Sequence, residues 1–203
     1  MSFRNAPVRI FAGMDNPLMT YLQQFRSFPE NDQRLLTDAF EPGCFKEGDT
    51  LFRGGNICRE MFFISKGVLR IMAVNDKGQE VTHYFLSENQ LCTILHSFNS
   101  GGMAEETIQA ACDAEVLIIT RAKLLDLYKQ IPYLESLIDQ ITRQRLMDKI
   151  QLRNTYLGED AQTRYKLFMM RQSDVALRVS LKDVASYLEI TPQSLSRIRK
   201  NLQ

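Results

Sequence analysis

Val179-Ser-Leu-Lys-Asp-Val-Ala-Ser-Tyr-Leu-Glu-Ile-Thr-Pro-Gln-Ser-Leu-Ser-Arg-Ile-Arg-Lys-Asn-Leu202 reads as two short helices around a tight turn. Ser180 and Thr191 stand where N-caps belong, because a side-chain oxygen there satisfies an N–H that the first helical turn leaves free. Pro192 then takes the first helical position, where its missing N–H is harmless. Val184, Ala185 and Leu188 recur on one face of the first helix, Leu195 and Ile198 on one face of the second, and Ile190 falls in the turn. Ala185 is small where the two helices must cross. Glu189 occupies the turn position that favours glycine, and a left-handed backbone there costs about 1 kcal/mol in a residue with a Cβ.

The outward face of the second helix carries Thr191 at its start and then Gln193, Ser194, Ser196, Arg197, Arg199 and Lys200. A helix of this kind can enter the major groove and present its N-terminal side chains to base edges. Arg197 can fork onto guanine and Gln193 onto adenine. Arg199 and Lys200 are placed for phosphates, which position a protein without reading sequence. The charge distribution agrees. The whole chain of 203 residues is nearly neutral at +1, but residues 1–161 hold 17 basic and 21 acidic side chains and residues 162–203 hold 8 and 3. A −4 body with a +5 tail is the footprint of a DNA-binding module on a larger domain. A small bundle with a solvated basic face is the plainer alternative.

Upstream, three textures follow one another. Leu18, Leu22 and Phe25, then Leu35, Leu36 and Phe40, recur at helical spacing on either side of Pro29. Residues 41–120 alternate short β-rich runs with turns such as Pro42-Gly43, Gly54-Gly55, Lys66-Gly67 and Asn75-Asp76-Lys77-Gly78. Met61–Ile64, Val68–Val74, Val81–Leu86 and Ala114–Thr120 are the strands, and their close spacing predicts an antiparallel sandwich or barrel. Residues 121–157 return to helix. Between Pro132 and Gly158 lie about 26 residues, roughly 40 Å of helix. Leu134, Leu137, Ile138 and Ile141 form an apolar stripe that Leu146, Met147, Ile150 and Leu157 resume after Arg143-Gln144-Arg145. Such a stripe is covered most simply by a second copy of the same helix, with Leu134, Leu137, Ile138, Ile141 and Ile150 at the seam; packing against its own domain is the alternative. In the tail, Ala161–Met170 reads as helix and Val175–Val179 as a short strand pair.

Composition excludes other classes. With 44% hydrophobic and 24% charged residues the chain is that of a folded protein. No apolar run reaches the roughly 20 residues of a membrane span, and Met1–Ile10 lacks the apolar core of a signal peptide, so a cytoplasmic protein with reduced cysteines and no membrane association is expected. Cys44, Cys58, Cys92 and Cys112 are widely spaced without a CxxC, and His83 and His96 have no ligand spacing around them, so no metal and no cofactor are predicted. No nucleophile with a base, no phosphate loop and no HExxH motif appears, and the chain is not read as an enzyme.

The order of these parts resembles the cyclic-AMP receptor (Crp/Fnr) family of bacterial transcription regulators, from about Leu18 to Leu202. Lys46-Glu-Gly-Asp-Thr-Leu-Phe-Arg-Gly-Gly55 is similar to that family's first β-roll turns, Met61-Phe-Phe-Ile-Ser-Lys-Gly-Val-Leu-Arg70 to its strand signature, and Ser194-Leu-Ser-Arg197 to the heart of its recognition helix. The resemblance implies an α+β protein: residues 1–130 a jelly-roll sensor domain with N-terminal helices, 131–158 a long dimerisation helix, 159–203 a winged helix-turn-helix. It implies a homodimer on double-stranded DNA, with RNA polymerase as a partner and a small-molecule effector in the roll. Residues matching Gln193, Ser196 and Arg197 contact bases in that family. The family's phosphate cassette, a Gly-Glu pair and an Arg-Ser/Thr pair, falls here on Cys92-Thr93 and Glu106-Thr107. Glu105-Glu106 puts carboxylates where a cation should meet a phosphate, which turns an attraction of a few kcal/mol into a repulsion. Cyclic AMP in the usual mode is therefore not expected and the effector is unknown; a cyclic-nucleotide responder with a rearranged pocket is the alternative.

Overall fold

The structure, a computed structural model, describes residues 16–202. Met1–Ile10, read above for a leader, and the first part of the 1–130 segment lie outside the described residues. Two short helices, α1 (Pro17–Leu22) and α2 (Glu30–Ala39), lead into eight strands: β1 (Glu41–Phe45), β2 (Thr50–Phe52), β3 (Glu60–Lys66), β4 (Leu69–Val74), β5 (Glu80–Leu86), β6 (Leu91–Cys92), β7 (Thr107–Ala110) and β8 (Ala114–Thr120). Helix α3 (Leu95–Ser100) interrupts them after β6. The strands form two antiparallel four-stranded sheets, ordered β1-β8-β3-β6 and β2-β7-β4-β5. Helices α4 (Arg121–Gln130), α5 (Leu134–Asn154), α6 (Ala161–Arg171), α7 (Ser173–Ala176), α8 (Leu181–Tyr187) and α9 (Pro192–Leu202) complete the chain. The protein thus combines α and β structure, with its antiparallel sheets followed by helices. Among the described residues no helix is long and apolar enough to cross a membrane.

Three apolar cores account for this arrangement. The inner faces of the sheets meet through Phe62, Ile64 and Val116 from one and Leu69, Ile71, Leu86 and Ile108 from the other. The outer face of the first sheet is buried as well: Met61, Phe63, Leu117 and Ile119 pack under α1, α2, α4 and the start of α5. This explains why Met61-Phe62-Phe63-Ile64 is apolar without alternation; a strand covered on both sides has no polar face to show. The outer face of the second sheet supports the C-terminal helices. Val68, Phe85 and Ala111 share a core with Phe168, Val175, Val184, Ala185, Leu188 and Leu195, and Phe85 meets the Tyr187 ring at 5.2 Å.

Polar contacts lock that junction. Arg70 is only 4% exposed. Its guanidinium donates to Asp183 of α8 at 2.5 Å, to Glu80 at 3.0 Å and to Thr82 at 3.2 Å, and to Gln109 at 2.5 Å. Ser186 of α8 accepts from the Thr82 N–H at 2.8 Å and donates to the Glu80 carbonyl at 3.0 Å, so α8 caps the open edge of β5. Arg178 forks onto Glu88 at 2.5 and 3.0 Å. Burial opposes ionisation of Glu88, but Arg178 and the Gly67 N–H outweigh it and hold its carboxyl below the usual value.

Three expectations are corrected. Phe25 is 43% exposed and lies beyond α1, because the chain turns at Gln23–Phe25. The long helix begins after Pro132 and spans Leu134–Asn154 rather than 131–158. Val175 and Val179 are not a strand pair, and no strand follows β8 among the described residues, so the wing is not found there. The two valines are four residues apart, both buried in the same core, and the Val179 N–H donates to the Val175 carbonyl at 3.2 Å, which is helical geometry.

Arg70→Met removes the cation and leaves Asp183 buried and unpaired. It is expected to lower the free energy of unfolding by about 3–5 kcal/mol, and adding Asp183→Leu to recover much of that loss, both read by urea denaturation. An unchanged midpoint in the single variant would show that the pair does not hold the junction.

Candidate functional sites: the C-terminal helix pair and the roll–helix gap

The tail folds locally as its caps dictate. Ser180 Oγ accepts from the Asp183 N–H at 3.1 Å, and Thr191 Oγ1 from the Ser194 N–H at 3.1 Å. Glu189 adopts φ 55°, the left-handed conformation the turn requires. The Ile190 N–H donates to the Ala185 carbonyl at 3.0 Å and closes the end of α8. Ala185 and Leu195 are fully buried at the crossing.

Helix α9 turns its other side to solvent. Gln193, Ser194, Ser196, Arg197 and Lys200 are exposed and Arg199 is half-buried. Their availability differs. Thr191 and Ser194 hydroxyls bond each other at 3.0 Å, and Ser196 Oγ donates to the Pro192 carbonyl at 2.9 Å. Among the described residues Gln193, Arg197, Arg199 and Lys200 make no side-chain hydrogen bond or ion pair. Docking of α8 onto β5 leaves this face open.

The residues aligned with the phosphate cassette are each engaged by contacts of their own. Cys92 ends β6 in the first sheet, whereas Thr107 begins β7 in the second. Thr93 Oγ1 donates to the Glu60 carbonyl at 2.9 Å and lies 3.4 Å from Cys58 Sγ. Thr107 Oγ1 accepts from the Gly54 N–H at 3.0 Å. Glu105 is exposed and Glu106 half-buried. The Glu105 carbonyl packs on Gly54, where any Cβ would come within 2.2 Å of it. Burial pushes the Cys92 thiol up to about 12, so it is a neutral packing group. Between this corner and α5 a cavity of only about 30 Å³ remains, roughly one water's share of liquid volume. Arg145 and Lys149 line it from α5. Lys149 lies 5.0 Å from the Tyr84 ring centroid, and burial chiefly lowers its pKa. The sequence reading did not single out these two cations; Arg145 stood in it only as part of a polar break.

Helix α5 divides in two. Leu134, Leu137, Ile138 and Ile141 are buried in their own chain's core, as the plainer reading of the stripe has it. In the second half Leu146, Met147 and Ile150 are 44%, 51% and 42% exposed, and Leu157, beyond the helix end at Asn154, is 67% exposed. A groove of about 620 Å³ lies beside the first half; of its ionic groups Asp139 pairs with Arg143 and Arg121 donates to the Asn99 carbonyl.

Two face-to-face sheets carrying a buried outer helix layer are followed by a long helix and a terminal helix pair. The cyclic nucleotide-binding domain family matches residues 43–131, which is β1 to the end of α4. The transcriptional activator protein FnrA of Stutzerimonas stutzeri is 25% identical over 184 residues, covering 85% of this chain and 75% of that protein. Among solved structures, a transcriptional regulator of the Crp/Fnr family from Eubacterium rectale superposes with a TM-score of 0.69 at 18% identity, over 91% of this chain and 88% of that one. FixK2 of Bradyrhizobium japonicum superposes at 0.68 with 15% identity, over 80% and 84%. The chain is thus similar to these regulators in fold, and its residues 43–131 match the cyclic nucleotide-binding domain family.

Proposed function

We propose that the chain is a sequence-specific DNA-binding regulator that acts as a cytoplasmic homodimer, with an effector other than cyclic AMP in the usual mode. The observation that carries the reading is the open face of α9: Gln193, Arg197, Arg199 and Lys200 exposed or half-exposed and free of partners on a helix fixed at its N-terminus by Thr191 and Pro192. Arg197 and Gln193 are assigned to base edges, where bidentate pairing discriminates. Thr191, Ser194, Arg199 and Lys200 are assigned to the backbone, and Ser196 to a base contact once its helical bond exchanges. Residues 159–203 form the DNA-binding part, the preceding strands the sensor, and RNA polymerase is the further partner. The exposed seam of Leu146, Met147 and Ile150 supports dimerisation along the second half of α5, since a contiguous apolar strip on a helix is covered by its copy. The first half, with Leu134, Leu137, Ile138 and Ile141, anchors that helix to its own roll.

Selection of fragments from genomic DNA tests the reading as a whole, and a two-fold symmetric site is the expected result. Arg197→Ala is expected to cost about 1–3 kcal/mol and to relax preference at one base. Arg199→Ala should weaken all sequences alike and flatten the salt dependence, because one phosphate contact fewer releases fewer counterions. Ile150→Asp should weaken self-association at least tenfold in sedimentation equilibrium; an unchanged dimer would move the interface elsewhere. A second reading, a cyclic-nucleotide responder with a rearranged pocket, is favoured by the cations Arg145 and Lys149 at the gap. Calorimetry with cyclic AMP and cyclic GMP separates the two, and no heat at millimolar ligand is expected.

A further inference from the structure

We propose that the cleft between β5, the end of α5, α6 and the α8–α9 turn is a binding site for a small aromatic carboxylate, separate from the roll–helix gap. The cleft measures about 250 Å³. Its walls are aromatic: Tyr84, Tyr156 and Tyr187 line it, and the last two rings stand edge to face at 5.9 Å. Its cations are unpaired. Arg153 and Arg164 both line the cleft, and among the described residues neither side chain has a hydrogen bond or ion pair. The Arg164 Nε is buried with no acceptor at all. Buried donors in native proteins are almost always matched, so an orphaned guanidinium N–H facing a cleft fits a ligand that brings the acceptor. The planar guanidinium fork selects a carboxylate geometry.

The phenols complete the anion site. Gln172 Nε2 donates to Tyr156 Oη at 3.2 Å and to Tyr187 Oη at 3.1 Å. The two hydroxyls also hydrogen-bond each other, so one phenol hydrogen of the pair remains for another acceptor. Burial raises the pKa of both groups, so they stay protonated donors at neutral pH. Flat rings on the walls match a flat ring on the ligand. Glu189 also lines the cleft and offers an acceptor to a hydroxyl or amino substituent on that ring. The volume lies below the roughly 300–1,000 Å³ of sites for drug-sized molecules, so the ligand has on the order of a dozen non-hydrogen atoms, too few for a nucleotide.

The position gives binding a consequence. The occupant would touch β5 of the roll and the turn that precedes α9. A ligand that fits only this docked arrangement raises its population and so fixes where α9 points. That consequence rests on the function proposed above; binding itself does not, and it is measured without DNA.

The test is titration calorimetry of the full chain with benzoate, 4-hydroxybenzoate and indole-3-carboxylate, against 4-hydroxybenzyl alcohol as the neutral control. The expected result is saturable binding of at least one acid, one molecule per chain, and none of the alcohol. Arg164→Gln and Arg153→Gln should each weaken that binding about tenfold. Should Arg164→Gln fail to fold, Arg153→Gln, at an exposed position, carries the test alone. No saturable heat from any of the three acids at millimolar concentration overturns the proposal, and so does binding that the folded arginine variants leave unchanged. A negative titration with intact DNA binding would remove the site and leave the regulator reading standing.

Discussion

Arg70 is a cation on the outer face of a sheet, and it is nearly out of reach of water. A guanidinium cannot be deprotonated to escape that cost, so its position has to supply acceptors on every side. Gln109 comes from the neighbouring strand, Thr82 and Glu80 from the strand on the other side, and Asp183 from α8, 113 residues further along the chain. The last contact decides the shape of the molecule. Once Asp183 is drawn to Arg70, α8 lies on the edge of β5, Ser186 takes over the unpaired backbone groups there, and Leu188 and Val184 close over Phe85. A buried pair of this kind contributes little net stability compared with an apolar replacement. Its effect is on position, because only one placement of α8 satisfies the charge.

The roll is built to be covered on both sides. Helices α1, α2, α4 and the first half of α5 bury one outer face, and α6 to α9 the other. The long helix is consequently not a free rod. Its first half belongs to the roll's core, and its second half touches the roll through Arg145 and Lys149 while Leu146, Met147 and Ile150 are exposed. The gap between α5 and the roll is closed to about the size of a water, while the cleft at the far end of α5 is open and lined with unpaired arginines. The second sheet and the C-terminal helices are joined at that second place.

Much of this was legible in order along the chain. The caps Ser180, Thr191 and Pro192, the small Ala185 and the strained Glu189 are local features, and the helix pair they imply forms as read. The strands between glycine-centred turns were equally visible, since period and punctuation survive without tertiary information. The valines of residues 175–179 misled because a β-branched pair favours strand locally, yet its four-residue spacing serves a helical turn once Phe168 and Leu195 provide a core. The aligned cassette residues were harder still. Thr93 and Thr107 are engaged by the Glu60 carbonyl and the Gly54 N–H, partners that lie 33 and 53 residues away in the chain.

The sequence by itself determined the elements, the helix pair with its basic outward face, and the contrast between a −4 body and a +5 tail. These depend on neighbours a few residues apart, where caps, periodicity and charge act directly. Only the tertiary structure decided which apolar stripe of α5 is already covered, which hydroxyls on α9 are spent on its own backbone, and where the arginines lack partners. Arg70 and Arg164 are both lone cations in the sequence. One finds four acceptors across the fold and the other keeps a buried Nε unmatched, and no local pattern separates them because the acceptors come from strands and helices distant in the chain.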